Sequence, residues 1–167
     1  MSSNRGFSLI ELVLVILLVG VLSAFALARF ADLGSEAKRA KIEGAAGAIQ
    51  TASSIVASSC RVRSDCDRRE GPAGGNGIGN SILIEGEPVI LAYGYPRDSQ
   101  KTGIARAANL VDLEDGGDYH LRRFTAGDGG LRVRPDAETP ANECEVRYSQ
   151  PGEAGQTPDV ELELSGC

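Results

Sequence analysis

Residues 5–13 read Arg5-Gly6-Phe7-Ser8-Leu9-Ile10-Glu11-Leu12-Val13, and apolar sequence then runs almost unbroken to Ala28. As an α-helix rising about 1.5 Å per residue, the 22 residues from Phe7 to Ala28 span roughly 33 Å, enough to cross the hydrocarbon core of a bilayer. Glu11 lies near the start of this segment, and an ionised carboxylate inside hydrocarbon costs several kcal/mol and usually marks a function. We therefore expect the segment to do more than anchor the chain.

Arg5 precedes the apolar segment and no acidic residue does. The positive-inside rule then predicts that the head of the chain stays cytoplasmic while the rest crosses the membrane. The alternative is an ordinary secretory signal, cleaved after Ala24-Phe25-Ala26 or Ala26-Leu27-Ala28. Glu11 argues against that alternative, because the apolar core of a signal peptide has no use for a carboxylate.

The composition limits what the remaining chain can do. The 167 residues allow one modest domain plus an appendage, and only 5% of them are aromatic, with 21 glycines and no tryptophan. A large catalytic cavity is therefore not expected, and His120, the single histidine, has no nucleophile motif around it. The net charge of -6 argues against a general nucleic-acid binder. We expect no enzyme, no cofactor and no metal site.

A second, amphipathic helical segment follows Arg29 and extends to about Ser59. Its apolar residues recur at a spacing of three and four, which places them on one stripe suited to packing on a sheet: Ile42, Ala45, Ile49, Ala52 and Val56. A single helix from Phe7 to Ser59 is too long to be stable alone. Its first half must find lipid, and later other copies of the chain.

Four cysteines, Cys60, Cys66, Cys144 and Cys167, lie beyond the apolar segment. Export would bring them into an oxidising compartment, where an even number predicts two disulfides. Three pairings are possible, and short spacing favours Cys60 with Cys66 and Cys144 with Cys167. The first pair would close a solvated loop, with a ligand-binding loop as the less favoured interpretation.

The region after Cys60 shows the alternation and turn signals of a small antiparallel sheet. Strands are predicted at Ser81–Ile84, Pro88–Tyr93, Tyr119–Phe124, Leu131–Arg134, Cys144–Tyr148 and Val160–Leu164, and a short helix at Thr102–Leu113. Asp112, Glu114, Asp115 and Asp118 form an acidic turn whose spacing misses the EF-hand pattern, so we expect a solvated turn rather than a calcium site. The predicted class is α+β, with the sheet packed on the helix stripe.

The basic head ending in Gly6, followed by Phe7-Ser8-Leu9-Ile10-Glu11-Leu12, resembles the prepilin leader of type IV pilins and pseudopilins. The resemblance implies cleavage after Gly6 by a prepilin peptidase, which also methylates the new amine of Phe7. It further implies that Glu11 neutralises the amine of a neighbouring subunit during assembly. An i,i+4 pairing within one chain is the simpler alternative.

The resemblance gives the chain four parts: a cleaved leader (1–6), a membrane and fibre-core helix half (7–28), an amphipathic half (29–59) and a globular region (60–167). It implies a type IV pilin fold in which Cys144–Cys167 pins a C-terminal loop. Implied partners are other pilin subunits, an inner-membrane platform protein and an assembly ATPase, with the precursor in the inner membrane and the assembled chain in an extracellular pilus.

Within that family, Gly94-Tyr95-Pro96 and the Cys144-x-Val146-x-Tyr148 ending look like the mannose-sensitive haemagglutinin (MSHA) type of pilin. The resemblance implies a pilus subunit, major or minor, serving adhesion or motility. A type II secretion pseudopilin is the first alternative. An exported binding domain with an ordinary signal peptide and a membrane-anchored enzyme are more distant ones.

Overall fold

The computed structural model describes residues 7–63, 66, 80–125 and 129–167, and for residues 27–32 the backbone alone. Its first element is one long helix, α1, at Leu9–Val62. The chain divides into two units between Ala37 and Lys38, and α1 contributes to both. No proline interrupts α1, so nothing in its sequence removes an internal hydrogen bond.

The second unit contains the hydrophobic core, and the stripe predicted on α1 forms one side of it. Ile42, Ile49 and Val56 are fully buried, and Ala45 and Ala52 are buried as well. The small alanines at intermediate positions let the helix lie close to the residues it covers. The prediction that this face packs on a sheet is therefore confirmed.

A three-stranded antiparallel sheet follows, with β1 at Ser81–Ile84, β2 at Glu87–Ala92 and β3 at Tyr95–Pro96, in the order β1-β2-β3. Its two turns, Glu85–Gly86 and Tyr93–Gly94, have positive φ at both residues, which is the geometry of tight type I′ hairpin turns. The first hairpin matches the prediction. The short β3 was not predicted, because two residues carry no alternation pattern.

Helix α2 at Ile104–Ala107 is much shorter than the helix predicted at Thr102–Leu113. Asn109 ends it, with a φ of 54°, while the amide of Leu110 donates to the carbonyl of Ala105. This is the Schellman arrangement, in which a left-handed residue closes a helix, and asparagine is one of the few residues that adopt it readily. The longer prediction was wrong because it did not take Asn109 as the end of the helix. A separate 3-10 turn lies at Leu113–Asp115.

A four-stranded antiparallel sheet completes the fold. Its strands, in the order β4-β5-β6-β7, are β4 at His120–Phe124, β5 at Gly130–Arg134, β6 at Glu145–Ser149 and β7 at Asp159–Glu163. All four were predicted to within two residues. Leu121, Leu131, Val133, Val146 and Tyr148 pack with the stripe residues from Ile42 to Ala52. Val56, at the end of the stripe, packs instead with Ile82, Val89 and Leu91 of the first sheet. The predicted α+β class is thus confirmed, with two sheets instead of one.

Two disulfides close loops in this unit, Cys60–Cys66 and Cys144–Cys167. Cys60 is a buried residue near the end of α1, and Cys144 immediately precedes β6. Each bond therefore ties a chain segment to the core. Ser64 and Asp65, inside the loop that Cys60–Cys66 closes, and residues 67–79 lie outside the described residues.

Candidate functional site

Among the described residues of its unit, the apolar half of α1 has no packing partner. Leu9–Ala26 is long and apolar enough to cross a membrane, with a mean hydropathy of 2.8, and none of this stretch is buried. Its large side chains are between 40% and 80% exposed. Fully burying one such side chain is worth about 1.5–3 kcal/mol, so this surface cannot remain in water. It needs lipid, or other helices of the same kind.

The predicted assembly residues lie at the start of that helix. Ser8 accepts the first helical hydrogen bond, from the amide of Leu12 at 3.2 Å, and Glu11 occupies the first turn. A carboxylate at this place is also favoured by the helix dipole, which gives Glu11 a purely local role as an alternative. Phe7 precedes the helix and is 87% exposed. Gly6, the predicted cleavage point, lies outside the described residues.

Within the second unit, two lysines attach α1 to the turn between β5 and β6. Lys38 Nζ is 2.9 Å from a carboxylate oxygen of Asp136, and Lys41 Nζ donates to the carbonyl of Pro135 at 2.8 Å. Asp136 also accepts hydrogen bonds from the Thr139 amide, at 2.7 Å, and from the Thr139 hydroxyl, at 2.6 Å. We call Lys38, Lys41, Asp136 and Thr139 the helix anchor. No local pattern in the sequence predicted the helix anchor, because its two halves are about a hundred residues apart.

Hydrogen bonding controls the ionisation of the helix anchor. Burial alone would raise the pKa of Asp136, but hydrogen bonds from the Thr139 hydroxyl, Lys38 and the Thr139 amide outweigh it and lower the pKa to about 2. The carboxylate is therefore ionised throughout the neutral range. Lys41 also lies over the ring of Tyr119, 5.1 Å from its centroid.

Glu145, on β6, is the most deeply buried charged residue described, with no exposed surface. Its carboxylate lies 3.0 Å from Nε of Arg132, on the neighbouring strand β5, and 2.6 Å from Nε of Arg147, on β6 itself. Alternation along β6 places Glu145 on the face opposite Val146 and Tyr148, yet its side chain is fully buried. Two arginines and the side chain of Asn142 cover it, since Asn142 accepts hydrogen bonds from both guanidinium groups.

The acidic turn is also not wholly solvated. Asp112 is buried and accepts hydrogen bonds from the amides of Glu114, at 2.9 Å, and Leu121, at 2.7 Å. Burial would raise the pKa of Asp112, but those two amides and the charge of Arg122 lower it. Asp112 therefore holds the turn against the start of β4, which corrects the prediction for this residue. Glu114, Asp115 and Asp118 are exposed as expected.

No cluster of three or more metal-ligating side chains occurs among the residues that the structure describes. Many of the charged side chains described in the second unit form ion pairs with one another. What stands apart chemically is the exposed apolar helix with its single acid.

Comparison with known proteins bears on that helix directly. Residues 1–27 match the family model described as the prokaryotic N-terminal methylation motif. The chain is also 36% identical over 111 residues to the type IV narrow pilus major component PilA5 of Thermus thermophilus, an alignment that covers 64% of this chain and 96% of that protein. No solved structure matches significantly.

Proposed function

This chain belongs to the type IV pilin family, and from that premise we propose how it works as a structural subunit of a type IV pilus. The precursor is anchored in the inner membrane by the apolar half of α1, and the mature chain is part of an extracellular fibre. The relative from Thermus thermophilus is a major pilus component, which favours a pilus over a secretion pseudopilus.

The observation that carries this function is the exposed apolar surface of Leu9–Ala26. Lipid covers that surface in the precursor, and the same surface of neighbouring subunits covers it in the fibre. The change of partner costs little, because one apolar surrounding replaces another. The second unit has its own core and disulfides, so it can stay folded during the transfer.

For processing, we propose cleavage between Gly6 and Phe7 and methylation of the Phe7 amine by a prepilin peptidase. Glycine leaves the protease subsite unobstructed, since it has no side chain. The new amine is cationic and enters apolar surroundings, where an unpaired charge is costly. Glu11 of a neighbouring subunit supplies the counter-charge, which sets the axial position of each incoming subunit.

An inner-membrane platform protein and a cytoplasmic ATPase supply the force that extracts the subunit from the membrane. Within the family we place the chain nearest to MSHA-type pilins, on the basis of Gly94-Tyr95-Pro96 and the Cys144-x-Val146-x-Tyr148 ending. We assign the chain no catalytic role.

Mass spectrometry of the mature chain and of sheared surface fibres tests this function. We expect a chain that begins at methylated Phe7 and that forms part of the fibres. A mature chain beginning near Arg29 would instead indicate signal peptidase cleavage and would overturn the proposal.

The role of Glu11 has its own test. Glu11→Val should be processed normally, while its amount in sheared fibres falls at least about tenfold. Glu36→Val is the matched control, because Glu36 is an exposed acid on the same helix, outside the apolar stretch. If the Glu11 variant enters fibres as well as the control does, the pairing with a neighbouring amine is wrong.

A further inference from the structure

The four-stranded sheet has one edge that the chain itself closes. At β4, the amide of Leu121 donates to the buried carboxylate of Asp112 at 2.7 Å, and the Leu121 carbonyl accepts from the side chain of Gln100. Both bonds lead out of the sheet, so the backbone groups of Leu121 point away from the neighbouring strand β5. Side chains of the chain itself therefore fill the place that an added strand would need at β4.

The register of the sheet carries this alternation across to β7. In an antiparallel ladder, two directly opposed residues either bond each other or both point away from each other. Leu121 is opposite Val133, so Val133 points the other way, to β6, where it is opposite Val146. Val146 therefore points to β5 and away from Leu162, its partner on β7. The amide and carbonyl of Leu162 thus point out of the sheet, and so do those of Val160.

The edge formed by β7 is open. β7 is the last strand in the order of the sheet, and among the described residues no hydrogen bond uses the outward backbone groups of Val160 and Leu162. The Leu162 side chain is 46% exposed although it is opposite the fully buried Val146, so the core does not extend over this edge. An unpaired edge of this kind is a template for one more strand.

The side chains of β7 are divided by charge between the two faces of the sheet. Val160 and Leu162 lie on the face that covers the core. Asp159, Glu161 and Glu163 lie on the other face, where they form a row of three acids along the edge. Among the described residues, one of the three, Glu161, forms an ion pair, with an arginine of β6 at 3.3 Å. The row therefore keeps a net negative charge.

We propose that the β7 edge binds an extended segment of another protein as an added antiparallel strand, with basic side chains on one face of the segment and apolar side chains on the other. An extended backbone is what matches alternate amides and carbonyls along a strand. The basic side chains lie beside the acidic row, and the apolar ones cover Leu162. Strand β7 of a second copy does not fit, because side chains of the same face meet and acids would lie beside acids.

The probes are four heptapeptides with blocked ends, added to the full chain in a zwitterionic detergent. The first alternates lysine with valine, beginning and ending with lysine, and the second has glutamate in place of each lysine. The third and fourth are the lysine peptide methylated on its valine amides or on its lysine amides. When the lysines lie beside the acidic row, the valine amides face β7 and the lysine amides face away from it. The two methylated peptides thus differ only in which edge is blocked.

We expect the lysine peptide to bind, as measured by fluorescence anisotropy, and the glutamate peptide not to bind. NMR should show amide hydrogen exchange at Val160 and Leu162 slowed about tenfold or more, with Arg123, on the β4 edge, unchanged. Methylation of the valine amides should abolish binding, while methylation of the lysine amides should leave the affinity within twofold.

Two charge reversals complete the test. Glu161→Lys should weaken binding of the lysine peptide about fivefold or more, since repulsion replaces attraction. Glu153→Lys is the matched control, because it makes the same change of charge at an exposed acid in the loop before β7, and its affinity should stay within twofold. Unchanged exchange at Val160 and Leu162, equal binding of the glutamate peptide or of the two methylated peptides, or equal affinities of the two variants would overturn the proposal.

Discussion

Replacing Asp136 with asparagine should lower the free energy of unfolding of the second unit by about 2 kcal/mol at pH 7. The pKa of Asp136 falls from an ordinary 3.8 to about 2, and each pKa unit corresponds to about 1.4 kcal/mol of preference for the ionised form. Asparagine keeps an oxygen for Thr139 but loses the charge that faces Lys38 at 2.9 Å. The Asp136 side chain is 25% exposed, so solvent screens this pair only in part.

The same reasoning gives a pH dependence. Because folding lowers the pKa of Asp136, its contribution is fully present above pH 4 and is lost as the pH falls from about 4 to 2. The difference between the parent chain and Asp136→Asn should therefore shrink over that range. The assay is guanidinium unfolding of the full chain in a zwitterionic detergent, followed by circular dichroism at several pH values.

Glu138→Gln is the control for this experiment, since Glu138 is an exposed acid two residues away. It should change the unfolding free energy by less than about 0.5 kcal/mol. If Asp136→Asn and the parent chain differ by the same amount at pH 2 and pH 6, the charge of Asp136 does not stabilise the helix anchor. Direct NMR titration of the carboxyl group gives the pKa independently.

Three further substitutions test the rest of the second unit by the same unfolding assay. Glu145→Gln should cost about 3 kcal/mol, because it removes the buried counter-charge of Arg132 and leaves Arg147 only the exposed Glu161, and an unchanged midpoint would refute this. Cys167→Ser should cost about 3 kcal/mol by opening a loop with a sequence separation of 23, and reductant, which opens Cys60–Cys66 as well, should destabilise the parent chain by at least that amount. Tyr148→Phe should cost about 1 kcal/mol, since its hydroxyl donates to the buried carbonyl of Pro96 at 2.6 Å; no loss would mean that water replaces the bond.

The sequence predicted the elements whose pattern is local. The helix stripe from Ile42 to Val56 and the alternation in the last two strands follow directly from the periods of a helix and a strand. The membrane-spanning stretch and the acid within it, Glu11, could be predicted for the same reason, since hydropathy and the position of one charge are read from neighbouring residues alone. Local signals gave a wrong helix end at Asn109, where a left-handed residue ends α2 although the apolar spacing continues beyond it.

Long-range polar contacts decided what the sequence could not. Glu145 occupies an outward position by alternation, yet it is fully buried, because Arg132 and Arg147 meet over it only when β5 and β6 pair. Lys38 and Asp136 are likewise ordinary surface charges until the helix packs on the sheet. Charge pairing carries no sequence period, so such contacts leave no trace in one chain read alone.

The sequence by itself thus determined the apolar membrane segment, the single acid within it and the packing face of α1, because hydrophobicity and helical period are properties of neighbouring residues. The tertiary structure alone decided which charges are buried and how the turn between β5 and β6 is tied to α1. Those features bring together residues that are far apart in the chain, and their energies exist only once the fold places them in contact.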